Sequence, residues 1–401
     1  MTTTINNEHK KFNVPNLRFP EFQGEWEKCK LGDYGKVVTG NTPPTKDIEN
    51  YENGTYLWAS PADLGTIKSI TETKTMLSAQ GFSKTRTLPK GSVLVTCIGS
   101  TIGKTGMATK EMSTNQQINS IVVNDNNDNE FVYYAIQSAF PRYLSSIAVQ
   151  AVPIISKSAF ELLPNNRPYL QEQKKIGKFL SLLDERIATQ NKIIEDLKKL
   201  KSAIIEKHYS QVKKQTTCIA DLGEPFSVGS LAKDDLAEIG SPCVIYGELF
   251  TTYGEIIFHI ESYTNKTDGM ILSKKGDLLF PSSTTVDAMS LIAPSVINVD
   301  GVILGGDMFG IHISHNYNAQ YLSYYFNHIA KKQLAKFAKG STIIHLHYTD
   351  IEKAKLLLPS LEEQNRMAKC LVALDKKVSV EQNLLSSLTC QKSFLLQQMF
   401  I

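Results

Sequence analysis

The sequence predicts an α+β fold. Two mixed α/β domains are separated and joined by two long helices that form an antiparallel coiled coil, and the whole is a pseudo-two-fold internal repeat. Three observations predict this. One long phrase is written twice at a constant offset, each copy carries an apolar period of 3.5 residues, and the segments between the copies share an order of landmarks.

The phrase is "LQEQKKIGKFLSLLDERI" (Leu170 to Ile187), echoed by "LEEQNRMAKCLVALDKKV" (Leu361 to Val378). Both follow a proline, giving Pro-x-Leu-x-Glu-Gln at Pro168–Gln173 and Pro359–Gln364, and both reach a Leu-Asp pair, at Asp184 and Asp375. Each landmark lies 191 positions from its twin. Alternating steps of four and three trace a seam through Ile176, Leu180, Leu183, Ile187, Gln190, Ile194, Leu197, Lys201, Ile204 and His208. The second copy gives Met367, Leu371, Leu374, Val378, Glu381, Leu385, Leu388, Lys392, Leu395 and Met399. Steps averaging 3.5 residues keep one apolar stripe along a helix, the coiled-coil pattern. A proline suits the first turn, where a missing N–H costs little. Only Gly177 interrupts the pattern. About 40 helical residues extend on the order of 60 Å, so these segments are rods. Antiparallel pairing in one register brings Lys201 opposite Glu381 and Gln190 opposite Lys392, and such polar pairs set register and orientation.

The globules repeat more loosely. "LGDYG" (Leu31 to Gly35) is echoed by "IADLG" (Ile219 to Gly223), "LPKGSVLV" (Leu88 to Val95) by "LSKKGDLLF" (Leu272 to Phe280), and "FVYYAI" (Phe131 to Ile136) by "YLSYYFNHI" (Tyr321 to Ile329). "SVLVTCIG" and "DLLF" are strand-like, whereas "EFVYYAIQSAF" and "AQYLSYYFNHIAKKQLAKFA" are helix-like. The expected organisation is a first globule at residues 1–166, a first rod at 167–212, a second globule at 213–357 and a second rod at 358–401. Rods kept alike with heads that differ imply one scaffold presenting two distinct surfaces.

Composition bounds the function classes. The 401 residues are 42% hydrophobic, 21% charged and 9% aromatic, with a formal charge of +3. That is globular composition, and the weak charge leaves a polyanionic partner open, since placement of charge decides. Cys29, Cys97, Cys218, Cys243, Cys370 and Cys390 are scattered without a Cys-x-x-Cys pair, which predicts free thiols in a reducing compartment and no structural zinc. "MTTTINNEHKKFNVPNL" lacks the apolar core of a signal peptide, and no apolar run approaches the ~20 residues of a membrane span. A cytoplasmic protein is expected.

Catalytic patterns are missing. "GSTIGKTG" (Gly99 to Gly106) has three residues between Gly99 and Gly103 where a phosphate loop needs four, and it reads as a tight turn with Lys104 exposed. His312 with His315, and His345 with His347, lack the Cys or carboxylate company of a metal site. No nucleophile, acid–base set or glycine-rich nucleotide fingerprint is legible.

"VPNLRFPEFQGEW" (Val14 to Trp26), "LGDYG", "GSTIGKTG", "GSTIIHLHYTDIEKAKLLLPSLEEQ" (Gly340 to Gln364) and the repeated Pro-x-Leu-x-Glu-Gln rod together resemble one family, the specificity subunits of type I restriction–modification systems. The likeness spans essentially the whole chain. The first half departs from it, having "QAVPIISKSAF" (Gln150 to Phe160) where the second has "GSTIIHLHYTD". The resemblance implies a non-catalytic DNA-reading subunit. Its two target-recognition domains each read half of a split duplex site, its rods act as spacer, and modification (methyltransferase) subunits, two in number, dock alongside with restriction subunits in the full complex. No cofactor is expected in this chain; S-adenosylmethionine, ATP and Mg2+ belong to the partners. Loops mixing basic and small polar residues can hold phosphates and read base edges. The DNA-binding candidates are Lys84, Arg86, Ser100, Thr101 and Lys104 in the first head. In the second they are Ser282, Ser283, Thr284, Thr285, Lys339, Ser341, Thr342, His345 and His347. A coiled-coil adaptor whose two heads bind proteins is the alternative reading.

Overall fold

The fold is that of a computed structural model that describes residues 13–65, 67–146 and 154–401. The first twelve residues, which include most of the stretch assessed for a signal peptide, and Gln150–Pro153 of the departing segment lie outside the described residues. Two compact units divide the chain. One comprises the residues up to Asn191 together with Asn383–Ile401, and the other comprises Lys192–Gln382. Each unit therefore holds one head and half of each rod.

Both rods are continuous helices, Leu170–Gln211 (42 residues) and Leu361–Gln398 (38 residues). Every seam position named above is buried or half-buried. In the first unit the start of the first rod (Ile176, Leu180) shares a core with the end of the second (Leu395, Met399). In the second unit Ile205, near the end of the first rod, packs with Met367 and Leu371 at the start of the second. The rods thus run antiparallel, as the pattern requires.

The register is not the expected one. Lys201 reaches Asp375, at 2.9 Å, and not Glu381; Lys392 reaches Asp184, at 2.6 Å, and not Gln190. Each lysine meets the aspartate of the Leu-Asp pair, six positions nearer the rod's start than the residue expected opposite. The cause lies in the heads. Tyr134 donates its hydroxyl to Asp184 at 2.6 Å, and Tyr324 donates likewise to Asp375. Each lysine also lies over the same tyrosine ring, at 5.7 Å and 5.5 Å. Glu381 pairs with Lys377 on its own helix.

The repeated glutamine has a structural reason. Gln173 donates to the Pro168 carbonyl (2.9 Å) and accepts the Asp128 amide (3.0 Å); Gln364 does the same with Pro359 (2.9 Å) and Asn318 (3.0 Å). Asp128 and Asn318 in turn cap the principal helices of the two heads by accepting from Phe131 and Tyr321. One buried amide therefore satisfies groups at the entrances of two helices, which otherwise carry orphan backbone groups. Gly177 belongs to the same joint. A Cβ there would stand 2.4 Å from Asp128 Oδ1 and 2.8 Å from the Phe131 nitrogen, so only glycine lets the head helix approach the rod.

Each head is built around a five-stranded sheet of one topology. In the first, the order is Gly35–Thr39, Ile118–Val123, Val93–Thr96, Thr105–Ala108, Ser69–Ile70. In the second it is Gly223–Ser227, Met308–Ile313, Asp277–Pro281, Ser295–Ile297, Ile256–Ile257. The last pairing is parallel in both and the others are antiparallel. The apolar helix Asn129–Ser146 supplies Phe131, Tyr134 and Phe140 to the first core. Its counterpart starts at Ala319, passes through a π turn at Phe326–Ala330, and supplies Tyr324 and Phe326 to the second. Two-stranded ribbons, Glu27–Lys30 with Pro164–Arg167 and Gln215–Cys218 with Lys355–Leu358, close each head where it meets its rod. The heads diverge in their other sheet, which has three strands in the first and five in the second.

Candidate nucleic-acid interface

In the first head the strand Val93–Thr96 runs into a tight turn. Gly103 donates to Thr96 and Thr96 to Lys104, both at 2.9 Å, so "GSTIGKTG" folds back into the strand Thr105–Ala108. Ser100 and Lys104 are exposed and Thr101 is half-buried at this turn. Lys84 and Arg86 lie on a neighbouring loop and are partly committed to the fold. Lys84 Nζ donates to Asn50 Oδ1 (2.9 Å) and stands 3.6 Å from Asp47. Arg86 donates from Nη1 to the Thr39 carbonyl and from its amide to Asn41 Oδ1, each at 2.8 Å.

Residues outside the expected set tie this region together. Asn41 also donates to the Lys84 carbonyl at 2.9 Å and accepts the Trp58 indole at 3.1 Å through its own carbonyl. Thr42 donates to Gln116, and Thr39 to Asn119 at 2.6 Å. The carbonyl of Gln117 accepts the Cys97 amide at 2.7 Å, which joins this carboxamide-rich belt to the post-strand turn. Burial pushes the neighbouring Cys97 thiol up to about 12, so it stays neutral. The sequence signal was present in "TGNTPP" (Thr39 to Pro44) and "STNQQINS" (Ser113 to Ser120), which are polar runs beside apolar strands.

In the second head, "KGSTIIH" is a hairpin. Lys339 and His345 exchange both backbone hydrogen bonds, at 2.9 and 2.7 Å. Gly340 has φ +115° and a Cβ there would stand 2.0 Å from the Ile343 carbonyl oxygen, so the turn demands glycine. Ser341 and Thr342 are exposed at its tip. His345 pairs with Ser283 across a short ribbon, and Leu346 donates to the Ser282 carbonyl at 2.9 Å. That ribbon buries Ser282 and Ser283, leaves Thr284 half-buried and exposes Thr285. His345, His347, Lys339, Asp307 and Asp350 line an open hollow of about 560 Å³. The Lys339 ammonium, 2.5 Å away, together with the His347 amide at 2.9 Å, holds the Asp350 carboxyl below the usual carboxylate range.

The departing segment of the first head attaches in the same way. Ile154 bridges Ile98, and Ile155 donates to the Cys97 carbonyl at 2.8 Å, matching His345 with Ser283 and Leu346 with Ser282. Among the described residues no group of three or more His, Cys, Asp or Glu side chains could hold a metal ion. His312 binds Asp277 at 2.6 Å and stacks on Phe226. No helix among the described residues is long and apolar enough to cross a membrane.

Comparison with known proteins agrees with the duplicated plan. The family model of the type I restriction modification DNA specificity domain matches twice, at residues 23–199 and 212–389. The specificity subunit of the type I restriction enzyme MjaVIII from Methanocaldococcus jannaschii is 25% identical, with 91% of this chain and 89% of that one covered. The MjaIX specificity subunit of the same organism is 30% identical over 44% of this chain and 42% of its own. Among solved structures, the S subunit of a type I restriction–modification system from M. genitalium shares the fold with TM-score 0.65 at 18% identity, covering 97% of this chain and 99% of the other. With both halves matched over most of their length, the chain belongs to the type I restriction modification DNA specificity domain family.

Proposed function

We propose that the protein is the non-catalytic subunit that reads a bipartite DNA target for a type I restriction–modification complex, one head per half-site. The observation that carries this reading is the duplication itself. Two heads of one topology but different loop chemistry hang on matched halves of an antiparallel rod pair. Duplex DNA presents equivalent groove faces about one turn, roughly 34 Å, apart, so a two-fold arrangement of unlike readers suits a split, asymmetric sequence. Residues 1–166 and 213–357 act as target-recognition domains, and 167–212 and 358–401 as the spacer. Exposed Ser100, Lys104, Arg86, Ser341, Thr342, Thr285 and Lys339 contact phosphates and base edges. Half-buried Thr101, Thr284 and His345 stand behind them, and buried Ser282 and Ser283 shape the loop from below. Two modification subunits dock on the scaffold and bring the restriction subunits, and the complex works in the cytoplasm.

Insertion of one heptad into each rod, after Ile187 and at the matching place after Val378, tests the spacer. The assembled complex should methylate a site with both half-sequences unchanged and a longer gap between them. An unchanged gap defeats the proposal. Duplex binding that lacks a steep salt dependence favours the protein-binding adaptor instead.

A further inference from the structure

We propose that Gln117 and Asp307 are equivalent specificity-determining residues of opposite hydrogen-bonding character, Gln117 offering a donor to one half-site and Asp307 an acceptor to the other. This rests on the reading of the heads as half-site readers. The two residues hold the same place in the repeat. Gln117 immediately precedes the strand Ile118–Val123 and its backbone carbonyl accepts the Cys97 amide at 2.7 Å; Asp307 immediately precedes Met308–Ile313 and its backbone carbonyl accepts the Ser282 amide at 2.7 Å. Cys97 and Ser282 each open the loop that follows the matched central strand. Both residues therefore stand at the mouth of the loop that carries the exposed polar side chains of its head.

Their side chains are presented differently. Gln117 is half-buried and locked by Asn115. Its Oε1 accepts Asn115 Nδ2 at 3.0 Å, and its backbone amide donates to Asn115 Oδ1 at 3.0 Å. With the carbonyl end occupied, the free end is the Nε2 amino group, which stands 3.8 Å from where a Cβ on Gly99 would be, beside the post-strand turn. It is a donor. Asp307 is exposed, and its carboxylate has no hydrogen bond or ion pair among the described residues. It lines the hollow with Lys339, His345 and His347, yet Lys339 already binds Asp350. An ionised carboxylate accepts only.

A free carboxylate beside a lysine already paired with Asp350 has a definite consequence on DNA. It is repelled by phosphates and by acceptor edges, and satisfied only by a base amino group. In the major groove that means cytosine N4 or adenine N6. The Gln117 amino group instead suits an acceptor edge, such as guanine O6 and N7. At the equivalent position of the two half-sites the bases should thus differ in kind, amino-bearing opposite Asp307 and acceptor-bearing opposite Gln117.

The test uses the complete restriction–modification system carrying Asp307→Asn or Gln117→Glu, with methylated positions mapped across the genome. Purified complexes selecting from a randomised duplex library provide a second readout that does not need methylation. Asp307→Asn should relax or change one base position in one half-site only, with a loss of discrimination of about 5- to 150-fold. Gln117→Glu should change one position in the other half-site, moving it toward an amino-bearing base. The untouched half-site reports that each variant is folded. An unchanged motif, a uniform loss without a change in base preference, or both variants altering the same half-site would overturn the assignment. A wild-type complex that selects no split sequence would instead overturn the half-site reading beneath it.

Discussion

The two places where a rod lysine meets a head can be compared directly, because the repeat supplies the same parts to both. Lys392, Asp184 and Tyr134 in the first unit match Lys201, Asp375 and Tyr324 in the second. The fourth member reverses charge. Lys68 and Glu255 each immediately precede the sheet's parallel edge strand, and their carbonyls accept equivalent amides, from Met107 (2.7 Å) and Val296 (2.9 Å). Lys68 binds Glu130 (2.7 Å), Ser181 (2.8 Å) and the Tyr134 hydroxyl (3.3 Å). Glu255 binds Lys201 and His328, both at 2.9 Å. The shared triad fixes how rods and heads register. The swapped member gives each unit its own charge balance, so one rod lysine neutralises a single carboxylate and the other neutralises two.

That difference predicts unequal damage from equivalent substitutions. Lys201→Ala takes one shared cation from two carboxylates at once, leaving Asp375 the Tyr324 hydroxyl and Glu255 the His328 ring. The second unit should lose about 3–5 kcal/mol, the cost of an uncompensated buried charge. Lys392→Ala takes the cation from a single carboxylate, Asp184, which keeps the Tyr134 hydroxyl, and the first unit should lose about 1–3 kcal/mol. Hydrogen exchange resolved by unit reads both, and equal losses would remove the contrast.

Acid should act in the same direction. Burial would raise the Glu255 carboxyl, but the hydrogen bond from His328 and the Lys201 ammonium outweigh it and hold it at about 2, against an ordinary 4.5. A depressed carboxylate stabilises the fold fully above its unfolded pKa and loses that contribution as pH falls from about 4.5 towards 2. On this account up to about 3 kcal/mol leaves the second unit in that window. Glu255→Gln should flatten its acid dependence there. An unaltered profile would show that the network does not set acid stability.

The smallest expected effect is a symmetry control. Gln173→Ala and Gln364→Ala each remove one buried amide that bridges a proline carbonyl and a capping amide, and each should cost its own unit about 1–3 kcal/mol. Gln173 makes one further bond, to Asn127 Oδ1 at 3.2 Å, so its loss should be the larger of the two, and the reverse order would show that this extra bond contributes nothing.

The rods were the most legible part of the sequence because a seam of period 3.5 is a local property. Every seam residue from Ile176 to Met399 proved buried or half-buried. Register was not legible. Lys201 and Lys392 find aspartates beside the seam, and Tyr134 and Tyr324, which hold those aspartates, come from distant helices. Ser282 and Ser283 read as loop because serines follow an apolar strand, yet a ribbon with Ile344–His345 continues the structure and buries them. The places of Gln117 and Asp307 are not legible in the sequence for a related reason. Each precedes a strand that is far in sequence from the loop it faces, and only the Cys97 and Ser282 amides bring the two together.

The glutamine joint has a mechanical consequence. Gln173 grips the first turn of the rod and the leading amide of the head helix at once, and Gly177 lets the two lie close. A turn at the rod's entrance is therefore passed to the head helix through one shared side chain. Gln364 makes the same coupling in the other unit, between its own rod's entrance and its own head helix.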